Sequence, residues 1–467
     1  MLSYFRINDP YRLVIIFFIL LAFRLPVMMS SGGLTLPELN YMLVGEKLNQ
    51  GASLYEGLWD NIAPLSALVY ASIDFLFGRS QLAYQIVALV LVFFQCLVFN
   101  KLMLDRKAFN ENTYIPGLMY AVLMSFFFDL FTLTPVLMGM TFLLLALNNI
   151  FNHIEFRAKE DEKILNIGIY IGLASLFYLP YFIFGITVLL IFMILTGTVA
   201  RRYLLMLFGL FLPLLITGCY FLLRSRLNVF IYNFLNPLWQ YQADHYMALW
   251  QIAIVFAVPM GLLIFSLARL SQRARFNNYQ SRVTQAMFLL LIFSVIFILI
   301  SGQLTPNIFI VFMPSMAFFL AHGFLVFNRR WIGEIVFTLF LIATVLVGLG
   351  TYFDFSFTAK YIDETEYLVN KKDGDKWESK KVLILDDDIT PYASAFAATP
   401  FLNWQLVEGL FRNPEFYDNL TIIHQGFQED MPDVIIDTHD VMPPILERLP
   451  QMKLKYRKEG NTYYLKG

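Results

Sequence analysis

The sequence predicts a polytopic α-helical membrane protein carrying a C-terminal extracytoplasmic α/β domain, on three observations. Of 467 residues, 58% are hydrophobic and 15% charged, against roughly 45–50% apolar and about 25% charged in soluble domains. With a mean hydropathy of +0.61, that is more apolar surface than a soluble core can bury. About eleven apolar segments approach the roughly 20 residues that a helix needs to cross a bilayer. The charges are also unevenly shared. Residues 1–351 carry 21 basic and 15 acidic side chains, whereas residues 352–467 carry 13 and 20. A basic membrane body is thus followed by an acidic soluble tail. The net charge of -1 describes neither part and argues against nucleic acid as a partner.

The apolar segments centre on Phe18, Val90, Leu123, Leu143, Ser175, Leu189, Phe211, Val258, Phe293, Phe318 and Leu341. The first is longer than a signal-peptide core and lacks a small-residue cleavage site, so it reads as a retained span. Lys and Arg accumulate in cytoplasmic loops. With the N-terminus inside, the inner loops hold sixteen of them, while the outer short loops hold only Lys47, Arg79, Arg224 and Arg226. An odd number of spans then puts the tail outside, in a periplasm or equivalent lumen. The apolar stretch from Ala63 to Gly78 would invert this bias if it crossed the membrane. Its sixteen residues suit an interfacial helix instead, with Pro64 at the first helical position. The first external segment, about residues 31–82, is therefore long and structured.

Long loops in compact proteins are places for function. In this one, Pro37 and Glu38 suit a helix start and Gly51 a left-handed stop. Arg24 in "FRLP", the acid in "PELNY", then "NQGASLY", "WDNIAPL" and a half-length helix ending in "LFG" resemble the opening of GT-C superfamily glycosyltransferases. Asp129 after the third span, "YLP" around Pro180, "TPNIFIVFMPS" and the terminal α/β domain extend the resemblance. It implies a transferase of the bacterial inner membrane that moves a sugar from a polyprenyl-phosphate carrier to an acceptor glycan, lipid or protein on the outer face. A divalent cation is compatible with the resemblance, and no residue pattern demands one. The base in that superfamily is usually an aspartate preceding a glutamate; here Pro37 stands before Glu38.

Such chemistry needs a base for the acceptor hydroxyl and a group that stabilises the departing phosphate. Glu38 is the candidate base, or simply a first-turn acid favoured by the helix dipole. Asp129 lies in a nearly uncharged tract, where an ionisable group is costly and thus a functional candidate; its other reading is an N-cap for the next span. Arg224 and Arg226 form a candidate phosphate site, with Lys47 and Arg79 as weaker candidates, or else reach to lipid headgroups. Arg24 is expected to pair with an acid inside the bundle. Glu46, Glu56, Asp60 and Asp74 read as solvated or capping residues. Asp60, His245, Asp386 and Asp388 are also candidates for an acceptor or ligand site. Asp386 to Asp388 follow the strand "KVLIL", and "PDVIID" and "NTYYLKG" supply further strands beside the helical "NWQLVEGLF".

Signatures of ATP hydrolysis, zinc proteolysis and serine hydrolysis are missing from the sequence. "GIYIG" at 168–172 matches a helix-packing pattern. The competing function classes are a non-catalytic scaffold that binds a partner through the tail, and a transporter for lipid-linked glycans.

Overall fold

The computed structural model describes residues 1–467 except 31–32, 157–160, 236–247, 274–275, 302–304, 328, 354, 356–366, 370–374, 399 and 467. The chain divides into two compact units, one of Met1–Gly33, Leu82–Tyr220 and Gln240–Glu366, the other of Leu34–Gln81, Phe221–Trp239 and Tyr367–Gly467.

The first unit is a helical membrane body. Among the described residues, 9 helices are long and apolar enough to cross a bilayer: Tyr11–Met29, Gln81–Asp105, Pro135–Glu155, Leu179–Thr196, Ala200–Leu223, Trp250–Ser271, Asn278–Ser301, Pro306–Leu325 and Arg330–Tyr352. The two remaining sequence-predicted centres fall on shorter helices. Leu123 ends the 9-residue helix Ile115–Leu123, and Ser175 lies in the 17-residue helix Asp161–Phe177. Peripheral helices show one face outward: Leu204, Phe208, Phe211 and Leu215 are exposed at helical spacing, which is the lipid-facing stripe of a span. Pro306–Leu325 is buried on nearly all sides, as an apolar helix without a polar face must be.

Without a hydrophobic drive between helices in lipid, close approach rests on small residues. A Cβ on Gly168 would meet the Met206 carbonyl inside van der Waals contact, and one on Gly172 the Leu210 carbonyl. The "GIYIG" pattern thus packs Asp161–Phe177 onto Ala200–Leu223.

The second unit combines the first loop, the segment from Phe221 and the tail. Helices Leu36–Asn49 and Pro64–Phe77 pack on each other, with Gly45 lying under the Tyr70 carbonyl. Pro64 opens the second of these, and Gly78, at φ +63°, closes it. At 14 residues, Pro64–Phe77 is too short to span a bilayer. The tail forms a five-stranded sheet in the order β2-β1-β3-β5-β4. Here β1 is Lys381–Leu385, β2 Phe396–Ala397, β3 Val434–Asp437, β4 Tyr456–Glu459 and β5 Thr462–Leu465. β1 pairs in parallel with β2 and β3, and β5 is antiparallel to β3 and β4. Burial of all but the first residue of β1 fits a central parallel strand covered on both faces. Helices Trp404–Arg412 and Tyr417–Glu429 supply much of the core, through Trp404, Val407, Phe411, Ile423 and Phe427.

Gly168→Val is expected to lower stability by about 1–3 kcal/mol through overpacking. Thermal unfolding of the purified protein in detergent measures this; an unchanged midpoint would contradict the packing assigned to this glycine.

Candidate functional site

The helix carrying Glu38 begins as local chemistry dictates. Thr35 is its N-cap and accepts from the Glu38 N–H at 3.3 Å, and Pro37 occupies the first turn, where no intrahelical partner for its missing N–H is needed. Gly51, at φ +96°, follows its end. Glu38 is only 2% exposed, and its Oε2 accepts from Gln81 Nε2 at 3.0 Å. Two residues on, Asn40 donates to Asp60 Oδ2 at 3.0 Å, while Asp60 Oδ1 accepts from the Ile62 N–H at 2.8 Å. Asp60 is therefore not solvated: it is 1% exposed. Burial holds its carboxyl above its ordinary pKa, against the opposing hydrogen bonds from Asn40 and Ile62.

Around these acids the loop is tightly tied down. Tyr55, at φ +72°, buries its ring against Phe221 and Phe230 and donates its hydroxyl to the Ile62 carbonyl at 2.7 Å. Burial, with Asp60 adding to it, raises the Tyr55 pKa. Asn233 Nδ2 donates to the Tyr55 carbonyl at 3.2 Å. Trp59 exchanges backbone hydrogen bonds with the tail, its N–H reaching Pro400 and its carbonyl accepting from Asn403. The Leu36 N–H donates to Tyr367 at 3.1 Å and the Val369 N–H to Leu34 at 2.8 Å.

The candidate cations have distinct placements. Lys47 Nζ donates to Asp430 Oδ2 at 3.0 Å, and Lys381 Nζ to Oδ1 of the same carboxylate at 2.8 Å. Desolvation works against the Asp430 anion, but the two ammonium groups outweigh it and hold its pKa below the ordinary value. Arg79 donates to the Tyr392 and Ala395 carbonyls and lies 3.5 Å from Glu46. Glu46 is thus largely buried in an ion pair, not solvated. Arg226 pairs with Glu56 at 2.5 Å, both partly exposed, and Arg224 is exposed. His245 lies outside the described residues.

In the tail, Asp386 accepts from the Asp387 N–H at 2.7 Å and from the Thr438 hydroxyl at 2.8 Å, and Asp388 from the Thr390 N–H at 2.9 Å. The two N–H contacts form turns at the carboxyl end of β1, and the Thr438 hydroxyl reaches Asp386 from the end of β3. Among the described residues there is no group of three His, Cys, Asp or Glu side chains placed to hold a metal ion.

Asp129 belongs to the membrane unit and is 1% exposed. It does not cap the next span, whose first turn is capped by Thr134 through the Leu137 N–H at 3.1 Å. Its Oδ2 accepts instead from the Asn307 N–H at 2.7 Å, at the start of the turn Pro306–Phe312. Arg24 likewise meets no carboxylate among the described residues. It donates to the carbonyls of Met124, Leu130 and Phe131 at 3.2, 3.0 and 3.3 Å. The expected acid partner is replaced by backbone, because the helix break before Pro135 leaves carbonyls that need donors.

Over 97% of its length the chain matches 97% of ArnT from Cupriavidus metallidurans bound to undecaprenyl phosphate, with a TM-score of 0.57 at 11% identity. The chain has the fold of this ArnT structure. An apo structure of the same enzyme is similar over 69% of this chain and 61% of its own, at 15% identity and a TM-score of 0.49. No family model matches the chain, and no curated protein matches it in sequence. The ArnT-like fold and the apolar helices make this a multi-pass membrane protein.

Asp60→Asn tests the buried carboxyl. Because its folded pKa is raised, its contribution to stability is complete below the unfolded pKa, about 3.9, and is lost as pH rises through the folded value. The neutral variant lacks that loss, so its melting midpoint is expected to gain on wild type as pH is raised. Parallel midpoints across the pH series would contradict the assignment.

Proposed function

We propose that this protein is a membrane glycosyltransferase that moves a sugar from a polyprenyl-phosphate carrier to an acceptor hydroxyl on the extracytoplasmic face. The observation that carries the reading is the near full-length GT-C fold shared with an ArnT structure that holds undecaprenyl phosphate. The loop charge bias supports an extracytoplasmic position for Glu38 and for the tail, with the N-terminus cytoplasmic, as for a protein of the bacterial inner membrane.

In this reading Glu38 is the general base. It takes the proton as the acceptor oxygen forms its bond to the anomeric carbon and the bond from that carbon to the phosphate oxygen breaks. The polyprenyl phosphate leaves with the bonding pair. Two observations support this role for Glu38: it opens a capped helix, and one of its carboxylate oxygens accepts from the Gln81 amide. Arg226 and Arg224 are the cations of the unit assigned to the carrier phosphate, with Arg226 exchanging Glu56 for phosphate oxygens. Lys47 is the weaker candidate for that role, since its largely buried ammonium is paired with Asp430. Asp129 acts by holding the Asn307 segment in place.

Glu38→Gln is expected to retain folded protein in the membrane and to reduce transfer at least about 100-fold, the scale of lost general-base catalysis. The assay follows labelled sugar from polyprenyl phosphate to acceptor in proteoliposomes. Full activity in the variant removes Glu38 as base, and failure of wild type to turn over any polyprenyl-phosphate sugar removes the transferase reading.

A further inference from the structure

One end of the membrane unit gathers cations and aromatic rings. Helices Tyr11–Met29 and Arg330–Tyr352 both begin there, and the turn Leu2–Arg6 folds between them. The charged groups at this end are mostly engaged. The Glu334 carboxylate accepts from the backbone N–H groups of Leu2 and Ser3 at 2.9 and 2.6 Å and pairs with the Met1 amino group at 2.7 Å. Arg6 donates to the carbonyls of Phe324 and Leu325. Asp9 Oδ1 accepts from the Tyr11 N–H at 3.2 Å.

Arg12 differs. It is 4% exposed, and its Nε and Nη1 are buried with no hydrogen-bond partner among the described residues. Its guanidinium lies 4.4 Å from the centre of the Tyr4 ring. A ring face offsets only part of the desolvation of a guanidinium, and a buried cation with unmatched donors is strongly destabilising. The arrangement calls for an anionic acceptor. The surroundings indicate its source: Tyr4, Tyr11 and Trp331 are all exposed at this end, and exposed Tyr and Trp at the ends of spans mark headgroup depth. Arg329 and Arg330 are exposed beside Trp331 and leave the local field positive.

We propose that Arg12 is the binding site for the phosphate of an anionic phospholipid headgroup, reached when the Tyr4 side chain swings off the guanidinium. The planar fork of Arg matches two phosphate oxygens, and basic pockets between spans take lipid headgroups by this chemistry. The candidate base and phosphate cations of the proposed transfer chemistry belong to the other compact unit.

Native mass spectrometry of the full-length protein, titrated with phosphatidylglycerol, phosphatidylcholine or inorganic phosphate, tests this. Wild type is expected to prefer phosphatidylglycerol over phosphatidylcholine. Arg12→Gln should bind the anionic lipid about tenfold more weakly, as for the loss of one charge-assisted hydrogen bond. Tyr4→Ala, which uncovers the guanidinium and keeps its charge, should bind it more tightly. Equal binding of the two lipids by wild type overturns the proposal, as does an unchanged preference in Arg12→Gln. Binding of inorganic phosphate as tight as that of phosphatidylglycerol overturns the lipid assignment. Should Arg12→Gln not fold, Tyr4→Ala decides: a gain supports the site, and no gain overturns it.

Discussion

Hydrocarbon offers no hydrogen bonds, so every interruption of a helix within the membrane unit must be closed by the protein's own groups. Two polar side chains do this where the bundle departs from regular helix. The Arg24 guanidinium spans three carbonyls of the break between Ile115–Leu123 and Pro135–Phe156. Asp129, in the middle of that break, takes the Asn307 N–H at the start of the next irregular turn. Their charges are opposite and they do not pair with each other; each instead completes backbone that would otherwise be orphaned. The third sequence centre, Leu123, therefore sits in a short helix that ends early, and the irregular segment after it remains buried.

A different constraint governs the second unit. Its first loop packs its two apolar helices on each other, and polar and backbone contacts tie it to a tail hundreds of positions away. Lys47 and Asp430 are separated by 383 residues. Their salt bridge and the strand-like pairing of Thr35 with Leu368 fix both ends of Leu36–Asn49. The cations of this unit are accordingly unequal: Lys47 and Arg79 are largely buried in contacts with the tail, whereas Arg224 and the Arg226–Glu56 pair lie toward the surface.

Features written in local sequence could be read directly. Pro64 and Gly78 bracket a helix too short to span, β1 and β3 appear as apolar runs ending in acids, and Gly51 marks a left-handed stop. Glu38 could be found as a helix-opening acid. Its partner Gln81, and the Asn40 that holds Asp60, could not, because neutral amides carry no pattern until the chain is folded. For Asp60 the capping alternative agrees with its contact to the Ile62 N–H and the solvated one does not, because its burial arises from the folded loop. Arg24 was expected to seek a carboxylate because sequence shows charges and not the unmet carbonyls of a broken helix.

The backbone pairing of Leu34 and Leu36 with Tyr367 and Val369 bears on how the chain can be divided. Although the tail follows the last span in sequence, it is not a detachable module. Exchanging residues 367–467 with those of another protein would strip the Glu38 helix of the strand partner at its entry and of the carboxylate that receives Lys47. The natural unit of exchange is discontinuous, comprising 34–81 and 221–239 together with the tail. Recombination at a single crossover point cannot transfer it intact.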